Sequence, residues 1–467
     1  MRDKNSRVFI PLVFFLLLFP AFFFLPGGTR PCLSDTLETG GEAPLLVGVA
    51  RADITPPVDQ RGIPLNGYGA RKGKPATGVH DRIFVKALVL SSNGLPEKES
   101  VRVAIVTTDL CMITRDIRRE VLSKIEGSGI DDANLLLSAS HTHSAPAAMD
   151  RRWLIERFFG DFDEELFDTI TSQIAKTIKE AGARLRPAKL GIASTTAQGL
   201  NRNRREPTYN YDTRLFSTPS PPPEGDFVTD SELWVMEVAG QDGEVIALLV
   251  NFAAHATVLG ADNLLVSADW PGAMQRSLEG DLKDTIVLYT NGAAGDQAPD
   301  DHVEGNDFGK MEQFGERVAD EVRELLDGIE FKDEVRIASS MLYQELPRLS
   351  YKFLALPRFL TGRFGFETEA AIMAIRIGDA VLVGIPGEPI AEVGLEIKRE
   401  SRKLGFKYPV VVGLANDYIG YIVNEKEYRK GGYETTMNFF GKDAGAIISE
   451  AALKAVKETL SSGTPRN

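Results

Sequence analysis

Beyond residue 45 the chain alternates apolar and polar positions, and the period of alternation switches repeatedly between two and about three and a half. Ile83 to Ser91, IFVKALVLS, and Val101 to Thr108, VRVAIVTT, carry the two-residue period of strands. Val47 to Ile54 is a shorter strand stopped by Pro56-Pro57. Asp116 to Gly127 is amphipathic at helical spacing, and Glu164 to Ala183 sets Leu166, Ile170, Ile174 and Ile178 on one helical face. Strands are predicted at Ala133 to Ser140, Lys189 to Ala197, Leu233 to Ala239, Glu244 to Asn251 and Thr285 to Thr290. Phe308 to Asp327 is helical, and Ala370 to Ile377 with Ala380 to Ile385 makes a hairpin around Gly378-Asp379. A helix over Gly394 to Lys403, a strand over Tyr408 to Leu414 and a helix over Ala444 to Leu460 follow. Strands and helices interleave without a repeat or an interdomain linker. The pattern predicts a single large α/β domain over 45–467, with mixed β-sheets flanked by helices.

The N-terminus breaks this pattern. Arg2, Lys4 and Arg7 precede Val8 to Leu25, which carries no charge. A positive flank before an apolar run is an export signal, so the protein is expected to be exported. The run reaches the lower limit for crossing a bilayer and lacks a small-residue cleavage site. Residues 1–27 therefore read as a signal peptide or an N-terminal membrane anchor, which would leave the protein periplasmic, extracellular or anchored through residues 8–25. Residues 28–44, without periodicity, read as a linker.

Net charge changes the picture by exclusion. At −13, with no concentrated basic face, the chain is not a nucleic-acid binder. There are two cysteines. Cys32 lies in the linker and could pair with Cys111 in an oxidising compartment, but Cys111, in TTDLCMI, reads as a buried free thiol. The absence of C-x-x-C excludes a thiolate zinc site. Ser217 to Gly225, STPSPPPEG, reads as a surface loop. Tyr351 to Phe366 mixes aromatics with Lys352, Arg358 and Arg363. It is either a lid that touches a lipid surface or, the favoured reading, a loop whose aromatics pack inward. The sequence sets no oligomeric state.

Candidate chemistry collects just past apolar strands, where α/β folds place ligands. Of five histidines, His141 and His143 follow the strand ending SAS, and His255 follows ALLVNFAA. If the first strand persists, side chains at i and i+2 face one cavity, either both on a metal or one on the metal and one moving a proton. His255 alone would more often be a satisfied core residue. Glu388, on the Pro386-Gly387 turn of IPGEP, could complete a His₂Glu zinc site. GLANDYIGYIVNEKEYRKGGYETT carries tyrosines at 418, 421, 428 and 433. Aromatics at this density usually pack, though a tyrosine hydroxyl can also donate to an oxyanion or ligate a metal.

These spots, in this order, resemble the neutral (alkaline, non-lysosomal) ceramidase family in its N-terminal catalytic domain. The resemblance runs over roughly residues 45 to 440, through VGVARADITPP, GYGARKGKPATGVHDRIFVKALVL, TTDLCMI, SASHTHSAP, NRNRREP, NFAAHATVL, SADWPG, IPGEP and NDYIGY. It implies Zn2+ held by His141, His255, Glu388 and Tyr421. His143 would stand beside the metal to orient or deprotonate the attacking group. Arg204 and Tyr433 match the family's residues that bind the substrate amide. The implied activity is hydrolysis of a carbon–nitrogen amide bond in a small-molecule or lipid substrate by metal-activated water, with membrane-surface association to match.

Two departures stand out. The family carries Gly-Asp-Val-Ser-Pro, and its serine is required for ceramide cleavage. This chain has Gly295-Asp296-Gln297-Ala298-Pro299, so Ala298 closes a serine acyl-enzyme route. The sequence also ends soon after the tyrosine motif, with no C-terminal immunoglobulin-like domain expected. Both weaken ceramide itself as the implied substrate. Ser144 is a poor substitute nucleophile, because neighbouring strand residues face opposite ways. A non-catalytic ligand-binding descendant, a zinc esterase and a hydrolase of a sugar-linked amide are the alternatives.

Overall fold

The long alternating stretches pair with one another because each has one face to bury. In chain order the main strands are β1 (Ser34–Glu38), β2 (Ala43–Asp53), β3 (Phe84–Ser92), β4 (Arg102–Thr108), β5 (Leu135–Ala139) and β6 (Arg186–Thr196). They continue as β7 (Glu232–Gly240), β8 (Val245–Phe252), β9 (Ile286–Asn291), β10 (Ile337–Glu345), β11 (Glu369–Ile377), β12 (Ala380–Gly384) and β13 (Tyr408–Val412). The computed structural model describes residues 34–38, 41–92, 101–206, 227–300, 306–351, 354–355 and 367–461. The apolar run 8–25, Cys32, the proline-rich loop 217–225 and most of the aromatic stretch 351–366 lie outside the described residues.

The larger sheet runs β9-β8-β7-β6-β2-β3-β4-β5, and the second runs β1-β10-β11-β12-β13. Most neighbours are antiparallel. The exceptions are β4–β5 and β8–β9 at the two ends of the large sheet, and β12–β13 in the second. The sheets pack face to face. Leu88, Leu90, Val103 and Ile105 of the large sheet share one apolar cluster with Met341, Met373, Ile375 and Leu382 of the other.

Helices cover both outer faces. Against the large sheet lie α1 (Arg115–Lys124), α2 (Glu164–Ala183), α3 (Asp269–Asp281) and α4 (Asp307–Leu326). Against the second lie α5 (Ala391–Lys403) and α6 (Ala444–Glu458). α2 has the predicted bounds: Asp163 caps it by accepting from the Leu166 N–H, and Leu166, Ile170, Ile174 and Ile178 are its buried stripe.

Three of these main elements are absent from the sequence reading. Ser34–Glu38, inside the stretch read as a linker, pairs antiparallel with β10, from Ser34 opposite Leu342 to Glu38 opposite Ala338. A strand held at a sheet edge by main-chain bonds needs no side-chain alternation to announce it. β10 itself was hidden by Ser339 and Ser340, both fully buried. The pattern of α3 is broken by Pro271-Gly272. Proline is tolerated in a first turn, where its missing N–H would have no helical partner. A Cβ at Gly272 would sit 2.4 Å from the Ala268 Cβ, so the glycine lets the helix start close to the preceding chain.

Candidate active site

The carboxyl ends of strands from both sheets meet in one place, stitched by main-chain bonds. Gly413 N–H donates to Asn291 C=O at 2.9 Å, Leu414 to Gly387 at 2.8 Å and Ala415 to Ile385 at 3.0 Å. Asn416 closes the seam, its N–H bonding Leu137 C=O at 2.8 Å while its Oδ1 accepts from the Leu137 N–H at 3.0 Å. All seven residues singled out in the sequence converge on this junction.

His141 does not extend β5, contrary to the strand expectation. β5 ends at Ala139, and His141 has φ +70°, so the chain turns there rather than running straight. That turn, not strand alternation, brings the two imidazoles together: the Nε2 atoms of His141 and His143 are 3.3 Å apart. The His141 N–H bonds Leu110 C=O at 3.0 Å, and its Nδ1 lies 2.6 Å from Cys111 C=O. His255 follows β8. Its N–H bonds Gln297 C=O at 3.0 Å, and its Nδ1 lies 2.6 Å from Ala294 C=O and 3.1 Å from Gln297 C=O. A carbonyl only accepts, so both Nδ1 atoms carry the proton, and both Nε2 atoms point a lone pair into the centre.

Glu388 meets those lone pairs. Glu388–Pro389 pairs parallel with Tyr421–Ile422, and the Glu388 N–H bonds Gly420 C=O at 3.0 Å. Gly387 permits this approach, since a Cβ there would come within 2.4 Å of the Gly420 oxygen. Glu388 Oε1 accepts from the Tyr418 hydroxyl at 2.6 Å. Its Oε2 lies 3.2 Å from His141 Nε2 and 3.1 Å from His255 Nε2, yet it is buried with no hydrogen-bond partner. The Tyr421 hydroxyl is 3.4 Å from His255 Nε2.

Two imidazole lone pairs facing a carboxylate with no proton between them repel unless positive charge sits among them. The electrostatics show the same demand for positive charge, which a proton on His141 meets where no ion does. Burial opposes charge on His141, yet the Glu388 carboxylate holds its pKa well above the ordinary range. Burial opposes charge on Glu388 too, but His141 and His255 hold its pKa well below that of a usual carboxylate. Burial and Arg204 push His255 down to about 3. Donors around one tetrahedral zinc stand roughly 3.3 Å apart, given metal–donor bonds of about 2.0–2.2 Å. The observed spacings match. His141, His255 and Glu388 thus form a group that can hold a metal ion, and their donor set fits zinc.

His143 stands outside that group but against it. Burial, His141 and His255 push its pKa well below the ordinary value, which keeps it neutral. Its backbone carbonyl accepts from the Arg71 guanidinium, which also bonds Asn66 C=O at 2.8 Å. Tyr68 meets the ring edge-on at 4.6 Å. Gly67, at φ +85°, leaves the space the imidazole occupies; a Cβ there would fall 2.2 Å from Cγ.

On the opposite side, Arg204 Nη2 donates to the Tyr421 hydroxyl at 3.0 Å and to Gly295 C=O at 2.6 Å. Its Nε bonds Glu434 Oε1 at 3.0 Å, and Arg205 bonds Glu434 Oε2 at 3.2 Å. All three side chains are buried. Tyr433 sets its ring 5.5 Å from that of Tyr421, and its pKa is raised by burial and by Glu388. Ala298 lies buried in the short strand Gln297–Pro299, opposite Arg202. The Ser144 hydroxyl accepts from Asn263 Nδ2 at 2.9 Å. Cys111 is buried as a free thiol.

Sequence reasoning left three contributors without roles. Tyr418 is one of four tyrosines in its stretch with nothing local to single it out, and Glu434 adjoins Tyr433 without a signal of its own. Arg71 lies within GYGARKGK and gives no local signal at all.

Comparison with known proteins agrees with this architecture. Residues 45–347 match the model of the neutral/alkaline non-lysosomal ceramidase N-terminal domain. A neutral ceramidase of Pseudomonas aeruginosa is 23% identical, over 86% of this chain and 70% of that protein. One of Drosophila melanogaster is 22% identical, over 90% and 75%. Among solved structures, the crystal structure of neutral ceramidase from Pseudomonas aeruginosa superposes with a TM-score of 0.74 at 22% identity, covering 89% of this chain and 74% of the other. A ceramidase complexed with C2 superposes with a TM-score of 0.73 at 20% identity, covering 91% and 77%. Ordered motifs, fold and matched residues lead to one conclusion: this chain belongs to the neutral/alkaline non-lysosomal ceramidase family.

Proposed function

We propose that the protein is an exported zinc-dependent hydrolase of a carbon–nitrogen amide bond in an N-acyl lipid or a related amide. One observation carries the reading: Glu388 Oε2 is buried without a hydrogen-bond partner, between two imidazole nitrogens whose lone pairs face it. His141, His255 and Glu388 would hold the zinc, with the Tyr421 hydroxyl beside them. Zinc bound there supplies a Lewis acid and lowers the pKa of water to about 7.

The chain's own residues do the rest. His143, kept neutral by burial and by its neighbours, accepts a proton from the attacking water and returns it to the departing nitrogen. Arg204, fixed by Glu434 and bonded to the Tyr421 hydroxyl, places positive charge where the amide oxygen becomes negative. The Tyr433 hydroxyl, raised in pKa and so protonated, donates to the same oxygen. Ala298 has no hydroxyl, which makes water the nucleophile and favours an amide other than ceramide. The relatives' shared designation as ceramidases supports a lipid amide as the substrate class. The basic flank and apolar run at residues 2–25 support export, and a lipid substrate supports action at a membrane surface.

The test is metal analysis of purified protein combined with matched N-acyl amide and ester substrates. About one zinc per chain and faster amide turnover, lost on chelation and restored by zinc, is the expected result. Full activity in metal-free protein would overturn the metal reading. Ester turnover without amide turnover would replace the amidase with an esterase.

A further inference from the structure

His143 is held differently from the other two histidines at the site. His141 and His255 each have Nδ1 on a carbonyl, whereas His143 Nδ1 is buried without a hydrogen-bond partner. Its ring orientation therefore comes from packing. Gly67 lies on the Nδ1 side, where a Cβ would fall 2.5 Å away, and Tyr68 meets the ring edge-on at 4.6 Å. Main-chain bonding to this slot stops short of the histidine. The Asn66 N–H bonds Ala145 C=O at 2.9 Å, while the His143 N–H has a long 3.4 Å bond to Ala256 C=O. Arg71 spans the gap. Its Nη1 donates to the carbonyls of both Asn66 and His143, its Nε to Ala261 C=O at 3.2 Å and its Nη2 to Gly260 C=O at 3.3 Å. The Tyr68 hydroxyl adds a bond to Leu259 C=O at 3.1 Å. All these guanidinium bonds go to carbonyls, and burial lowers the Arg71 pKa only to about 10, so the group stays charged at neutral pH. A planar guanidinium reaches several acceptors at fixed angles, which a lysine ammonium cannot.

We propose that Arg71 is a positioning residue for the reaction: by tying the His143 carbonyl to those of Asn66, Gly260 and Ala261, it keeps His143 Nε2 aimed at the centre formed by His141, His255 and Glu388. The Nε2 atoms of His143 and His141 are 3.3 Å apart in this arrangement. Without the clamp, no hydrogen bond at Nδ1 stops the imidazole from turning in its slot, and misplacement by about 1 Å can cost about 10²-fold in rate. The clamp stands on the geometry alone. Its effect on turnover rests on the hydrolase reading, in which His143 moves the proton.

The experiment measures kcat, KM and zinc content in Arg71→Lys and Arg71→Met, each made in the native protein and in His143→Ala. In the native background kcat should fall roughly 10- to 100-fold in both, with KM and zinc content changing less than about twofold. In His143→Ala the same substitutions should lower the residual turnover less than about twofold, because the residue they act through is gone. A native kcat in both variants, or an equal loss in the two backgrounds, would overturn the proposal; the second result would leave Arg71 a purely structural role. If Arg71→Met folds poorly, Arg71→Lys alone decides. A further readout needs no turnover: nitrogen-15 histidine spectra of the full-length protein as purified, which are simple because the chain has five histidines. The His143 ring signal, assigned by its loss in His143→Ala, should shift in Arg71→Lys while the remaining histidine signals hold. An unmoved His143 signal would overturn the clamp. Should turnover be missing throughout, the spectra still decide the clamp while the hydrolase reading fails separately.

Discussion

The two sides of the site are built differently. On the histidine side every donor is held by main chain. His141 and His255 each bond a carbonyl through Nδ1 and another through the backbone N–H, and Glu388 sits in a two-residue ladder with Tyr421. On the arginine side carbonyls help position the groups, Gly295 for Arg204 and Glu427 and Gly431 for Arg205, but a shared side chain balances their charge. Glu434 takes Arg204 on one carboxylate oxygen and Arg205 on the other, and it comes from the short helix Tyr433–Thr436, far from Arg204 in sequence. Backbone restraint is redundant and survives the loss of one contact. A buried carboxylate shared by two guanidinium groups is not matched in charge by carbonyls, although Glu427 also lies 3.4 Å from Arg205.

The largest effect should follow from removing a donor outright. Glu388→Gln replaces the carboxylate with an amide, one end of which would direct N–H groups at the lone pairs of His141 or His255. Zinc content should fall to a small fraction, and turnover by at least roughly 10³-fold, or about 4 kcal/mol of barrier. Inductively coupled plasma analysis beside initial rates measures both. A variant that kept its zinc would show that Glu388 is not a ligand.

Glu434→Gln should act next, on catalysis and stability but not on zinc binding. It leaves two buried guanidinium groups sharing a neutral amide. Arg204 keeps its bonds to Gly295 C=O and the Tyr421 hydroxyl but loses its charged partner, and turnover should drop roughly 10- to 100-fold, the scale expected when an oriented charge at a developing oxyanion is perturbed. Zinc content should stay at the native level, and Tm should fall because a buried ion pair has lost one partner. If zinc were lost as well, the two sides of the site would not be separable.

The same contrast explains what could be read from the sequence. His141, His143, His255 and Glu388 lie at or beside the ends of strands whose alternation is plain in the chain, so their placement is legible from pattern. The mode of holding was not legible. The turn at His141 depends on a single positive φ, and the expected strand alternation gave the right meeting of imidazoles for the wrong reason. Glu434 and Tyr418 could not be singled out, because their roles arise from partners 230 and 30 residues away. β1 and α3 were missed for related reasons, one being held by edge pairing and the other starting through Pro271-Gly272.

Trp270→Phe tests redundancy directly and should have the smallest effect on activity. The Trp270 Nε1–H donates to His255 C=O at 2.9 Å, so this substitution removes a bond to the backbone of a proposed metal ligand. The ring is fully buried, with Phe252, Tyr289 and Phe314 packed at its edges. Loss of the donor leaves a buried carbonyl unsatisfied, at a cost of about 1–3 kcal/mol, and the smaller ring adds a packing penalty. Stability should therefore fall measurably in denaturant unfolding. His255, however, stays tied through its ring Nδ1 to two carbonyls and through its backbone N–H to Gln297 C=O, so zinc content and turnover should change less than about twofold. Loss of zinc in Trp270→Phe at a temperature where the protein remains folded would mean that the histidine side hangs on single contacts after all.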